Sequence, residues 1–188
     1  MLKDLSIKTR LFTIVGVAVL GQILVCWLVL SGLKQSILEE KRLSTLYLSQ
    51  VAVAVVNNYH SKVASGELDE AKAKQLALAE LKSIRYKEND YYFVIDQQVT
   101  MLMHPFRPDL DGKDVADFKD KQGEPLFQNM ADGVVDDGSH SVFYNWPKPG
   151  TTEEVPKVSH VELFKPWGWI VGTGIYIDDV EASFYEVA

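Results

Sequence analysis

The chain has 188 residues, 47% of them apolar and 24% charged, with a net charge of −7 and one cysteine, Cys26. That length carries one well-buried domain plus an anchor, not two full domains. The acidic balance argues against nucleic acid and anionic lipid as partners, and a lone cysteine excludes a disulfide framework.

Residues 11–33 form a run of 23 without a single charge, with Gln22 the only strongly polar member. As a helix this run is about 34 Å long, enough to cross a hydrocarbon core of roughly 30 Å. A signal peptide is the competing reading. Its apolar region is shorter, roughly 7–15 residues, and no small-residue cleavage site follows the run here. Lys3, Lys8 and Arg10 precede the run, opposed only by Asp4, while mixed charges follow it. The positive-inside rule then puts residues 1–10 in the cytoplasm and residue 34 onward outside. Setting those four charges aside leaves 16 basic and 25 acidic residues, a net of −9 outside. A few local cations could still dominate the field inside a pocket. Cys26 lies within the span, so the outer domain must be held by a hydrophobic core.

Beyond the span, Leu48, Val51, Ala52, Val55, Val56, Tyr59 and Val63 make an apolar stripe at helical spacing. No Pro or Gly interrupts residues 34–65, which predicts a long helix continuous with the span and stopped at Gly66. A second amphipathic helix is expected over 69–85, with Ala73, Leu76, Ala77, Leu81 and Ile84 on one face. From residue 90 the pattern becomes that of strands. Residues 91–95 and 99–103 read as a hairpin about Asp96-Gln97-Gln98, 105–123 as loop, and 125–135 as a short helix. Strands follow at 141–146, 158–164 and 169–177, the last two joined by the turn Lys165-Pro166-Trp167-Gly168. Another helix begins near Val180. Antiparallel strands with segregated helices predict an α+β domain.

A small-molecule pocket needs an apolar wall, a few fixed polar groups and a counter-charge if its ligand is ionic. Alternation puts Tyr92 and Val94 on one face of their strand, with Tyr91, Phe93 and Ile95 on the other; Val142, Tyr144 and Trp146 share a face of theirs. Tyr92, Tyr144 and Trp146 are expected to line a cleft, or else to be core aromatics with wet polar ends. Arg85 and Lys157 are the candidate cations for a carboxylate, a bidentate fork and a point charge respectively. His104 either donates to a ligand or caps its strand. Asp109, Asp111 and Asp114 lack the alternation, the sixth-position glycine and the closing glutamate of an EF-hand, so a polar turn is expected. His60, His104, His140 and His160 show no zinc-ligand spacing, and no metal or other cofactor is predicted. Gly172 and Gly174 are expected to permit close packing rather than cradle a phosphate.

The ordered series Asp90-Tyr91-Tyr92-Phe93-Val94-Ile95-Asp96, Met103-His104-Pro105, Asp111-Gly112-Lys113-Asp114, Tyr144-Asn145-Trp146-Pro147-Lys148-Pro149-Gly150, Lys157 and 164–179 resembles the single-Cache sensor domain of methyl-accepting chemotaxis proteins. The resemblance covers about residues 34–188. It implies a PAS-like antiparallel sheet with one small-molecule pocket, hung on the long helix. It also implies a second span and a cytoplasmic signalling module beyond residue 188. The family's habits favour Lys157 over Arg85 as a pocket cation and a short-chain carboxylate as the ligand, with dimerisation through the 34–65 helix. Such domains also serve histidine kinases and diguanylate cyclases, and the output is not legible here. A membrane-tethered hydrolase or binding protein is the remaining alternative. No nucleophile constellation recommends it.

Overall fold

A computed structural model of the protein describes residues 6–87 and 89–178. The chain forms two compact units, Met1–Glu39 and Glu40–Ala188. From Ile7 on, the first is the start of helix α1 (Ile7–Ala64). An 18-residue stretch of α1 has mean hydropathy 2.4 and no buried residue, so it is long and apolar enough to cross a membrane. Its large side chains lie open, Phe12 at 78% and Trp27 at 63% exposure.

In the second unit, Gly66 (φ 78°) follows the end of α1, and helix α2 (Glu70–Ser83) comes next. Asp69 caps α2, its Oδ1 accepting from the Lys72 amide at 2.8 Å, which satisfies one of the orphan donors of the first turn. The sheet comprises β1 (Tyr92–Asp96), β2 (Met101–Met103), β3 (Ser139–Pro147), β4 (Glu154–Phe164) and β5 (Trp169–Tyr176), with helix α3 (Leu126–Asp137) between β2 and β3. The strand order is β2-β1-β5-β4-β3, and every neighbouring pair is antiparallel. The α+β architecture is the expected one, and strands β3 and β4 run longer than the sequence pattern predicts.

The first hairpin departs from expectation at its turn. Val99, expected in the strand, takes φ 59°. The Asp96 carboxylate accepts from the Gln98 and Thr100 amides at 3.0 and 2.8 Å, which carries the turn through Val99 despite its branched Cβ. The 105–123 segment is mostly loop, as expected, but it is tied down. It pairs back on β2 through Met101 N to Lys113 O and Val115 N to Val99 O, and it buries Leu110 and Val115. The helix expected from Val180 lies outside the described residues.

Each sheet face covers its own core. On one, Phe93, Ile95, Val161, Ile170, Tyr144 and Trp146 meet α3 through Leu126, Phe127, Met130 and Val134. On the other, Tyr92, Val94, Phe164, Trp169 and Val171 meet Ala52 and Val56 of α1 and Ala77 and Leu81 of α2. The stripe predicted on α1 is therefore divided. Ala52 and Val56 are fully buried, while Val51 is 57% exposed.

Candidate functional site

The polar groups that converge in the interior lie on the α3 side of the sheet, at the end where β3, β4 and β5 pair longest. Antiparallel register places Tyr144 opposite Lys157 and Lys157 opposite Tyr176, so the three side chains form one row across the sheet. Ser159 and Gly174 form the next row inward. Tyr91, immediately before β1, reaches the same place from the far side of β5.

Lys157 is the centre of the arrangement. Its side chain is 1% exposed. Its ammonium donates to the Tyr91 hydroxyl at 3.1 Å and lies over two aromatic rings, Tyr91 at 4.3 Å and Tyr176 at 4.6 Å. Among the described residues no carboxylate is in ion-pair contact with it. Ring quadrupoles and one hydroxyl only partly replace lost hydration. Burial consequently lowers the Lys157 pKa to about 7, against the opposing pull of Asp90. Room for this side chain comes from Gly174. A Cβ there would stand 2.6 Å from Lys157 Cε and nearer still to Ser159 Oγ. That is the close packing foreseen for the Gly172–Gly174 segment.

Around the ammonium stand neutral donors. Tyr144 is buried and hydrogen-bonded to Ser159 Oγ at 2.8 Å; burial pushes its hydroxyl well above the ordinary range. Burial does the same to Tyr91, with the Tyr176 hydroxyl adding to the rise and the Trp146 indole working against it. Tyr176 itself donates to Pro147 O at 2.8 Å. His104 is 2% exposed and packs its ring against Tyr91 at 4.9 Å and Trp146 at 5.6 Å. Its Nδ1 accepts from the Phe106 and Arg107 amides at 3.3 and 3.0 Å. Burial, then the nearby Lys157 and Arg107 charges, hold the ring neutral with its pKa lowered to about 3. With Nδ1 an acceptor, the proton resides on Nε2, which has no hydrogen-bond partner among the described residues. His104 thus caps the loop after β2 and still carries a donor.

Four of the six residues singled out in the sequence, His104, Tyr144, Trp146 and Lys157, are brought together. Two are not. Tyr92 points to the opposite face, where it packs against Tyr86 at 5.6 Å in the core under α1 and α2. The expected grouping of Tyr92 with Tyr144 and Trp146 is corrected: Tyr91, not Tyr92, shares their side of the sheet. Arg85 lies beyond the end of α2 and is exposed. Its guanidinium donates to Lys82 O and Ile84 O, both at 2.7 Å, and stacks over Phe106 at 5.0 Å. It therefore closes the end of α2 and covers Phe106, whose own ring touches Tyr91 at 5.0 Å. Tyr91 and Tyr176 were missed. Tyr176 could have been found by counting register back from the β4–β5 turn, where Phe164 faces Trp169 and hence Lys157 faces Tyr176; Tyr91 could not, since it depends on the pairing of β1 with β5. The aspartates of the loop serve the backbone, one arginine and Lys82, which pairs with Asp111 at 3.5 Å. Asp111 accepts from the His104 amide, Asp114 from that of Ala116, and Asp109 takes the Arg107 fork.

A five-stranded antiparallel sheet on a long N-terminal helix, with one buried polar cluster beneath a covering helix and loop, defines a PAS-like sensor domain. Residues 39–188 match the family model Single Cache domain 2, and the chain belongs to that family. It is 37% identical over 183 residues to the methyl-accepting chemotaxis protein McpP of Pseudomonas putida, covering 97% of this chain and 34% of that one. Similarity to the sensor histidine kinase MctS of Rhizobium johnstonii is 32% over 151 residues, 80% of this chain and 32% of that one. The chain thus spans about a third of the length of these relatives. Among solved structures, a Cache chemosensory domain described for its carboxylic acid recognition superposes with TM-score 0.73 at 39% identity, covering 76% of this chain and 97% of that one. A methyl-accepting chemotaxis protein from Vibrio parahaemolyticus gives TM-score 0.71 at 28% identity, with 80% and 98% covered.

Proposed function

We propose that the chain is the membrane-anchored sensing portion of a bacterial chemoreceptor, and that it binds a short-chain carboxylate at Lys157. The observation that carries the ligand class is a buried ammonium with no carboxylate partner among the described residues, ringed by neutral hydroxyl, indole and imidazole donors. A small anion supplies the missing countercharge, and the Tyr and Trp walls suit two to four carbons. The solved relative that recognises a carboxylic acid supports the same class. His104, Tyr144, Trp146 and Lys157, joined by Tyr91 and Tyr176, are the proposed contacts. The cluster senses rather than catalyses: all of its members but Lys157 are held neutral, and none is paired as nucleophile and base.

In this account residues 11–33 span the membrane, 1–10 lie in the cytoplasm and the remainder lies in the periplasm. The apolar, unburied stretch of α1 and the charge asymmetry at its ends support this orientation. Leu43, Tyr47 and Val51, four residues apart on α1 and 37%, 61% and 57% exposed, are the proposed dimer stripe. Ligand would act by favouring one of two packings of the sheet against α1, to the extent of its difference in affinity between them. The similarity to a sensor histidine kinase supports a second reading of the output, with the same sensor joined to a kinase.

Thermal-shift screening against short carboxylates, amino acids, purines and amines tests the ligand class. A bound ligand raises the midpoint as RT ln(1 + [L]/Kd). A rise confined to short carboxylates is expected, and a rise confined to amines or purines would refute the assignment.

A further inference from the structure

Lys157 is buried, so any ligand that reaches it must pass a wall that moves. Of the two rings over its ammonium, Tyr91 is 1% exposed, while Tyr176 is only half-buried. Beyond Tyr176 lies an open cleft of about 570 Å³, lined by Lys41, Lys87, Asp90, Lys148, Tyr176 and Asp178 among others. Two ammonium groups lie over the one Tyr176 ring. Lys157 is the buried one, at 4.6 Å, and Lys148, which lines the cleft, stands at 5.8 Å. The ring thus lines the cleft and also lies against the buried ammonium.

We propose that this cleft is the entry vestibule of the anion site and that Tyr176 is its gate. The inference rests on Lys157 being the ligand's countercharge. Two contacts hold the gate shut. Tyr176 donates to Pro147 O at 2.8 Å, and the neighbouring Lys148 pairs with Asp178 at 2.6 Å. Both contacts tie the β3–β4 turn to the end of β5, so opening the ring requires those two segments to part. Lys41, Lys87 and Lys148 come from three separate elements, α1, the α2–β1 connection and the β3–β4 turn. They share the mouth with Asp90 and Asp178. The Asp90 charge, on the cleft wall, is felt by Lys157 itself, so mouth and site are electrostatically joined. Asp178 adjoins the point where the chain leaves the sheet.

A gate differs from a binding contact in its kinetics. Weakening it should speed entry and escape alike and leave the equilibrium nearly unchanged. The test uses Lys148→Ala and, as a second variant that keeps the lysine, Asp178→Asn, each in the full chain in detergent with propionate as probe. Ligand-observed NMR exchange gives the dissociation rate, and calorimetry gives Kd. The Lys148–Asp178 side chains are 44% and 32% exposed, so the pair is of modest strength. Both rate constants should rise together by about two- to fivefold, with Kd changed less than about twofold. Rates equal to the parent's in both variants would overturn the gate, as would a change in Kd at constant association rate, which marks the pair as mere support for the site. A parent chain that binds no propionate or other short carboxylate would overturn the ligand assignment itself, and this inference with it.

Discussion

Raising the pH discharges Lys157 while leaving a carboxylic acid ionised, and this separates an ion-pairing ammonium from a merely structural one. Burial lowers the Lys157 pKa to about 7, and an anion binds only the protonated form. Apparent affinity then scales with the charged fraction, about 0.9 at pH 6, about 0.5 at pH 7 and about 0.01 at pH 9. The predicted loss between pH 6 and 9 is about 90-fold, or roughly 2.7 kcal/mol. The other members of the cluster do not titrate in that window, since His104 is lowered to about 3 and Tyr91, Tyr144 and Tyr176 are all raised. Calorimetry of propionate binding in buffers of different ionisation enthalpy is the assay. At pH 8 binding should take up about 0.9 proton per ligand, because the bound anion restores the charge to Lys157. Affinity that is flat from pH 6 to 9, with no proton uptake, would refute the countercharge.

The same burial has a stability consequence. The folded pKa of Lys157 lies below its unfolded value of 10.5, so between about pH 7 and 10.5 the unfolded chain binds the extra proton. The parent should therefore lose stability relative to Lys157→Met as pH falls from 10 to 7, by about 1.4 kcal/mol per unit, with the difference level below 7. Denaturant titration of the pair reads this. Gly174→Ala should drive a methyl into Lys157 Cε and Ser159 Oγ, costing about 1–3 kcal/mol in a melt and weakening propionate binding. Tyr91→Phe removes the hydroxyl that accepts from Lys157 and should change propionate affinity by about threefold or more in calorimetry. Tyr92→Phe, on the opposite face, should leave affinity within about twofold. Asp69→Ala should cost about 1 kcal/mol through the α2 cap, with no effect on binding.

Much of the fold was legible because hydrophobic periodicity and turn residues act locally. Alternation correctly divided β1 into a Tyr92–Val94 face and a Tyr91–Phe93 face, and placed Tyr144 with Trp146. It could not say which face of β1 looks toward Tyr144, since β1 and β3 never pair and two strands stand between them. Choosing Tyr92 was a choice of face made without that register. Tyr91 joins Lys157 only because β5 and β4 each pass the alternation on in step. Arg85 stands apart from the cluster for a different reason. A cation just after a helix finds free carbonyls nearby, and Lys82 O and Ile84 O take its guanidinium before any ligand can. His104 was left between two roles, and its two nitrogens divide them, Nδ1 on the backbone and Nε2 with its proton free. What single positions could not reveal was burial of the cation. Nothing local in Pro156-Lys157-Val158 distinguishes a solvated lysine from a buried one, and the Gly174 opposite Ser159 makes the space.

The most direct test is calorimetric titration of propionate into the parent chain and into Lys157→Met, both at pH 7. The substitution keeps the volume and removes the ammonium. The account predicts saturable binding by the parent and none by the variant, with the variant folded and no less stable. Equal binding by both proteins would contradict it.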